Sequence, residues 1–240
     1  MPFLLLHGAG LGRWIWDDVL PHLEEEARAV DLPGRSNGTN PGEVTLEQCI
    51  DFVAGQTRAM KMTPVLVGHS FSGQIALAVA ARFPETVASI VLIASVVPES
   101  GKPFISLMPL PQRIIMSLLL KRADHGIKIP ASQVKHGYCN DLREAKTTLV
   151  LGKMTREAPH LYLDAVDRPA LPATMPRLYV KLLEDKSVSL KQQDRTIDRV
   201  HATAVETIPS GHLPMLARPE DLAETLNRWA RRKTIEHVGK

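Results

Sequence analysis

The sequence predicts an α/β protein, a mostly parallel sheet covered by helices on both faces and interrupted once by a helical insertion. Two observations carry this. Short, almost wholly apolar runs alternate with helix-patterned stretches over residues 1–97 and again from 173 onward, and strands buried on both faces read as continuous apolar runs. Between these halves, residues 98–172 carry helical pattern but no strand signal.

Each element follows from local pattern. Phe3–Leu6 is an apolar run leaving through His7-Gly8-Ala9-Gly10, as a buried strand with a Gly-rich exit does. Trp14–Glu26 reads as a helix with Glu24, Glu25 and Glu26 on its wet side, and Ala27–Leu32 as a strand closed by the Asp31-Leu32-Pro33-Gly34 turn. Thr45 is placed to N-cap a helix reaching about Lys61, with Leu46, Ile50, Val53 and Ala54 at helical spacing. Pro64–Gly68 is a strand, Gly73–Phe83 a small-residue helix stopped by Pro84, and Val87–Ser95 a strand. In the insertion, Ile114–Arg122 and Asp141–Thr155 read as helices among several prolines. Arg177–Leu183 and Ala204–Ile208 are strands, and a closing helix runs from Pro219 to about Lys233. The core is thus 1–97 with 173–240. The insertion has apolar faces of its own, so it is a subdomain rather than a linker.

Composition excludes several classes. With 240 residues, 44% hydrophobic and 23% charged, the chain is neither disordered nor a coiled coil. A formal charge of +3, scattered basic residues and 5% aromatics argue against a nucleic-acid partner. The one basic cluster, Arg231-Arg232-Lys233, reads as a solvated helix end. Cys49 and Cys139 are expected to be free thiols in a reducing compartment. The N-terminus lacks the basic start of a signal peptide. The apolar stretch Phe104–Leu120 is broken by Pro109, Pro111 and Arg113, whereas a membrane span needs about 20 uninterrupted apolar residues. A cytoplasmic location with no membrane partner is expected, and no metal-ligand spacing emerges among the histidines.

The chemistry centres on Val65-Leu66-Val67-Gly68-His69-Ser70-Phe71-Ser72-Gly73, a serine at the turn from a buried strand into a small-residue helix. So sharp a turn strains the serine backbone and crowds its neighbours, which Gly68, Ser72 and Gly73 relieve. The pattern is a variant of the Gly-x-Ser-x-Gly nucleophile elbow. It lifts the Ser70 hydroxyl above the sheet at a helix N-terminus, where negative charge is favoured. His69 adjoins the serine but points the wrong way to be its base, and is read as a packed neighbour. The other Gly-rich turn, Gly8-x-Gly10-x-Gly12, misses the Gly-x-Gly-x-x-Gly spacing of a dinucleotide site, so no nicotinamide or other cofactor is expected.

At these residues the chain resembles the α/β-hydrolases over nearly its whole length. It is most similar to the small methylesterase and hydroxynitrile-lyase group, through Phe3–Ala9 with Trp14 and Trp16, Gly68-His69-Ser70, Glu184-Asp185-Lys186, and Gly211-His212-x-x-Met215-Leu216. The resemblance implies an α/β-hydrolase fold with about six core strands and a helical cap.

An elbow serine needs an acid and then a base further along the chain. His212, just past the last short strand, is the base; His201 is its nearest rival and reads as a surface residue. Asp185, just past Arg177–Leu183, is the preferred acid, by position and by the family's acid segment. Its serious rival is Glu99, past the strand ending near Ser95, since some relatives place their acid there. Glu184 should face away, and Asp194 and Asp198 fall in the following helix. The oxyanion donors are the backbone N–H groups of Phe71, by the elbow rule, and of Ala9. Gly8, Leu213, Met108 and Tyr138 are the candidate substrate-binding residues, under an insertion whose apolar content suits a small, largely apolar ester.

The expected activity is ester hydrolysis through an acyl-enzyme, with a small-molecule substrate, and the oligomeric state is left open between monomer and homodimer. Two rivals stand beside it. Hydroxynitrile lyases of the group carry a lysine after the base and a threonine in the first turn, where this chain has Leu213 and Gly8. A ligand receptor on the same fold would bind without turnover.

Overall fold

The computed structural model describes residues 1–35 and 39–238, with side chains up to residue 231. Six parallel strands form one sheet: β1 (Phe3–Leu6), β2 (Ala27–Val30), β3 (Val65–His69), β4 (Ser89–Ile93), β5 (Arg177–Leu182) and β6 (Ala204–Ile208). Their spatial order is β2-β1-β3-β4-β5-β6. The interior strands β1, β3 and β4 are buried at every position, whereas the edge strands β2 and β6 are only partly buried. This explains the sequence pattern, because a strand covered by helices on both faces has no position for a polar side chain to meet water.

From β1 the chain steps outward to β2 and then crosses back to β3 on the other side. The order therefore reverses between β1 and β3, and a crevice at the strand C-termini opens there, where α/β proteins place ligands. The register puts Leu6 opposite Gly68, so the turn after β1 and the turn after β3 begin side by side.

Helix α1 (Leu46–Arg58) starts on the expected cap: Thr45 accepts from the Gln48 N–H and the Gln48 side chain returns the bond, a capping box. Helix α2 (Gly73–Arg82) is buried through residue 81, consistent with its Ala-rich sequence. The expected helix over Trp14–Glu26 does not form; two short turns, Arg13–Trp16 and Leu20–His22, stand there instead. Pro21 is the physical reason, since it has no N–H and its ring collides with the carbonyl four residues back. Glu26 already accepts from the Phe3 N–H at 2.8 Å, which holds the chain extended into β2.

Within 98–172 the helix pattern is present with shifted ends. Helix α3 (Leu110–Leu120) begins four residues early because Pro111 is tolerated in a first helical turn. A further helix spans Glu144–Lys153, and a π turn covers Val134–Tyr138. One antiparallel bridge, Ile127 with Glu157, adds a pairing that the sequence pattern does not announce. The closing helix runs Pro219–Val238, past the expected end. Arg231 pairs with Glu24, while the Arg232 and Lys233 side chains lie outside the described residues. Among the described residues no helix is long and apolar enough to cross a membrane. Cys49 and Cys139 are buried and unpaired; burial pushes their thiols up, to about 12 and about 11.

Candidate active site

Ser70 sits just past β3 with φ +53°, a left-handed conformation that L side chains rarely adopt. The strain is held from behind by a lattice of short side chains. Ser72 Oγ donates to the carbonyls of Leu6 and His69, at 3.2 and 3.0 Å. Ser95 Oγ donates to the Gly68 carbonyl at 2.9 Å, and the Tyr179 hydroxyl donates to the Ser95 carbonyl at 2.8 Å. There is no room for larger groups. A Cβ on Gly68 would stand 3.0 Å from the Gly73 backbone, and one on Gly73 would stand 2.5 Å from Ser95 Oγ and 2.6 Å from Ser95 Cβ. Gly73→Ala is therefore expected to lose about 1–3 kcal/mol of stability by overpacking. Thermal denaturation checks this, and a melting temperature equal to wild type would show that the turn has slack.

Ser70, His212 and Asp185 form one hydrogen-bonded line. His212 Nε2 lies 3.0 Å from Ser70 Oγ and His212 Nδ1 lies 2.7 Å from Asp185 Oδ2. The other carboxylate oxygen of Asp185 accepts the Ser187 and Val188 N–H groups at 2.7 and 2.9 Å. A carboxylate so held accepts from Nδ1–H, which leaves Nε2 bare to accept the Ser70 proton. Both side chains are sealed from solvent, His212 at 1% and Asp185 at 0% exposure. Glu99 is exposed and hydrogen-bonds through its carbonyl to the Lys102 N–H, Glu184 is exposed, and His201 is an exposed helix end.

The loops that carry Asp185 and His212 are pinned to each other and to the 98–172 segment. The Glu184 N–H donates to the Ser210 carbonyl at 3.0 Å. Asp141 Oδ2 accepts the Gly211 N–H at 2.6 Å and the Ser210 hydroxyl at 3.2 Å, and Asn140 Nδ2 donates to the Glu184 carbonyl at 2.9 Å. Sequence reasoning missed Asn140 and Asp141, because their contacts span 44 to 70 residues and have no local pattern.

The turn after β1 lies against the serine. A Cβ on Gly8 would meet His69 Nδ1 at 2.8 Å and Ser70 Cβ at 3.2 Å. Ala9 and Phe71 are buried at 5% and 3% exposure, and among the described residues neither N–H has a hydrogen-bond acceptor. Next in the turn, Gly10 has φ +70°, and its N–H donates to Glu157 Oε2 at 2.8 Å while its carbonyl accepts the Thr155 N–H at 2.9 Å. Glu157 is paired with Arg35 in the interior, and Arg35 also donates to the Leu11 carbonyl at 2.7 Å. This buried ion pair, which sequence reasoning also missed, clamps the turn to the 98–172 segment.

His7 anchors the same turn from below. Its Nδ1–H donates to the Gly8 carbonyl at 2.9 Å and its Nε2 accepts the Leu32 N–H at 3.1 Å, so a second proton would face a donor. Burial, with Arg35 as a lesser cause, lowers its pKa to about 3. The unfolded chain takes up this proton near pH 6.5 and the folded one does not, so stability is present above about pH 6.5 and falls by about 1.4 kcal/mol per pH unit below it, down to about 3. Chemical denaturation at pH 7 and pH 5 should show the loss, and His7→Gln should flatten it. Equal pH dependence in both proteins would assign the loss to other groups.

Aromatic rings border the serine. The Phe71 ring lies 4.9 Å from Phe104 and 5.1 Å from Tyr162, and the Tyr138 ring lies 4.9 Å from His212. The His69 ring lies tilted against His212 at 4.8 Å and donates Nε2–H to its carbonyl at 2.9 Å, which places it as a support; burial holds it well below the usual histidine range. Gly8 and Tyr138 therefore adjoin the hydrogen-bonded line. The Leu213 side chain is fully buried, and half-buried Met108 makes no ring or hydrogen-bond contact to the line. Among the described residues no three His, Cys, Asp or Glu side chains converge as metal ligands would.

Comparison with known proteins gives consistent matches. The sequence profile of the alpha/beta hydrolase family matches residues 3–225. A probable esterase, PIR7A, of Oryza sativa subsp. indica is 26% identical, covering 95% of this chain and 96% of its own. Methylesterase 1 of Arabidopsis thaliana is also 26% identical, covering 92% and 93%. Among solved structures, an extracellular alpha/beta-hydrolase from a Paenibacillus species superposes with a TM-score of 0.82 at 19% identity, over 95% of this chain and 98% of that one. At that identity the superposition speaks for the fold.

Proposed function

The chain belongs to the alpha/beta hydrolase family, and on that footing we propose that it is a serine esterase acting on carboxylic esters of small, largely apolar substrates. One observation carries the reading: Ser70 Oγ, His212 and Asp185 stand in a buried line at 3.0 and 2.7 Å, with the serine on a strained strand-to-helix turn. The esterase names of the relatives agree with it.

In this mechanism His212 Nε2 takes the Ser70 proton as Oγ attacks the ester carbonyl, and Asp185 stabilises the resulting imidazolium without itself taking the proton. The Ala9 and Phe71 N–H groups receive the oxyanion, each contributing about 3–4 kcal/mol to the transition state. The alkoxide leaves with the proton from Nε2, and water, activated by the same nitrogen, releases the acid and frees Ser70. Residues 98–172 act as the cap: Asn140 and Asp141 steady the acid and base loops, Glu157 steadies the oxyanion turn, and Phe104, Tyr138 and Tyr162 supply an apolar wall.

The test is sustained release of p-nitrophenol from p-nitrophenyl butyrate, together with one-to-one labelling of Ser70 by a serine-directed phosphonate, read by mass spectrometry. Binding of apolar ligands without turnover or labelling would instead favour a receptor.

A further inference from the structure

The outer face of α3 is unlike the rest of the surface. Leu110, Ile114, Ile115, Leu118 and Leu119 are 59, 54, 61, 55 and 59% exposed. They recur at helical spacing on one side, while Arg113, Met116, Ser117 and Leu120 lie on the less exposed side. Exposed apolar patches built from several large side chains mark interaction surfaces on soluble proteins. Beside the helix runs a groove of about 380 Å³ whose walls include Lys102, Leu110, Arg113, Ile114 and Leu118.

The charge around this face is net positive. Residues 99–124 contain Lys102, Arg113, Lys121 and Arg122 against Glu99 and Asp124, and Lys102, Lys121 and Arg122 are exposed. None of the four cations pairs with a carboxylate among the described residues. A second copy of the chain docked by the same face across a two-fold axis would bring two net-positive surfaces together. An anionic lipid surface complements both features, taking the aliphatic side chains below the headgroups and neutralising the cations above.

We propose that the outer face of α3, with the exposed Lys102, Lys121 and Arg122 around it, docks the protein on anionic membrane surfaces. This departs from the expectation, drawn from the lack of a span, that no membrane is a partner; docking needs only one exposed face. The inference stands apart from the esterase reading, since binding is measured without turnover. It also gives the exposed face a place in the fold: α3 packs on the Phe104–Leu107 turn, whose Phe104 ring lies 4.9 Å from Phe71 beside Ser70. A docked molecule would therefore hold the apolar rim of the site close to the bilayer.

Vesicle flotation tests this with the full chain and two compositions, phosphatidylcholine alone and phosphatidylcholine mixed with phosphatidylglycerol. Binding is expected only to the mixed vesicles, weakening as salt rises. The double variant Ile115→Glu/Leu119→Glu should lose it by more than about tenfold, since two buried aliphatic contacts are exchanged for charges. Lys121→Gln should weaken it by about fivefold, the equivalent of roughly 1 kcal/mol per cation at such a surface. All these positions are exposed, and circular dichroism melts confirm folding; if the double variant fails to fold, Leu118→Gln alone replaces it. Absence of binding to the mixed vesicles, equal binding to both compositions, or unchanged binding by the aliphatic variants would overturn the proposal. So would a wild-type dimer that the Glu substitutions convert to monomer in sedimentation equilibrium, because a second copy would then occupy the face.

Discussion

Ser70→Ala is expected to lower kcat on p-nitrophenyl butyrate by about 10⁴- to 10⁶-fold, leaving only what binding and the oxyanion donors supply. The fold should survive. Among the described residues the hydroxyl makes a single hydrogen bond, to His212 Nε2, and the lattice behind the turn runs through Ser72, Ser95 and Tyr179. The measurement is steady-state turnover alongside a thermal melt. Wild-type activity in a folded Ser70→Ala protein would remove the nucleophile from the proposed mechanism. Loss of activity with a collapsed melt would be corrected by Ser70→Cys, which keeps a nucleophile and a similar volume and should still accept the phosphonate.

The second large effect separates the two acids that the sequence leaves in competition. Asp185→Asn should reduce kcat by about 10⁴-fold, because an amide facing Nδ1 favours the tautomer with the proton on Nε2, pointed at Ser70. Glu99→Gln should leave kcat within about twofold of wild type, as surface changes away from a site do. The structure motivates this difference: Asp185 Oδ2 is 2.7 Å from His212 Nδ1, whereas Glu99 is exposed and engages Lys102 through its carbonyl. Paired kcat measurements on the two variants decide it, and the reverse ranking would return the acid to the end of β4.

Much of this is legible in the sequence because it depends on short-range rules. The elbow announces itself in consecutive residues, since the strand, the serine and the glycines that clear space for it must be neighbours in the chain. The Thr45 cap is legible for the same reason, its partner being Gln48 one turn on. The helix expected over Trp14–Glu26 shows the opposite case. Its apolar and acidic spacing fits a helix, yet one proline and the pairing of Phe3 with Glu26 override it.

By itself the sequence determined the alternating architecture, the position of the sharp serine turn and the candidate carboxylates and histidines around it. Only the tertiary structure decided which carboxylate meets His212, that Glu157 and Arg35 clamp the turn carrying Ala9, and that Asn140 and Asp141 brace both loops. The same holds for the aliphatic face of α3, whose residues read in sequence like any buried stripe. Periodicity records that a side chain is apolar and where it points along its own element. Contacts made across tens of residues, and whether an apolar face meets protein or solvent, depend on how the elements pack together.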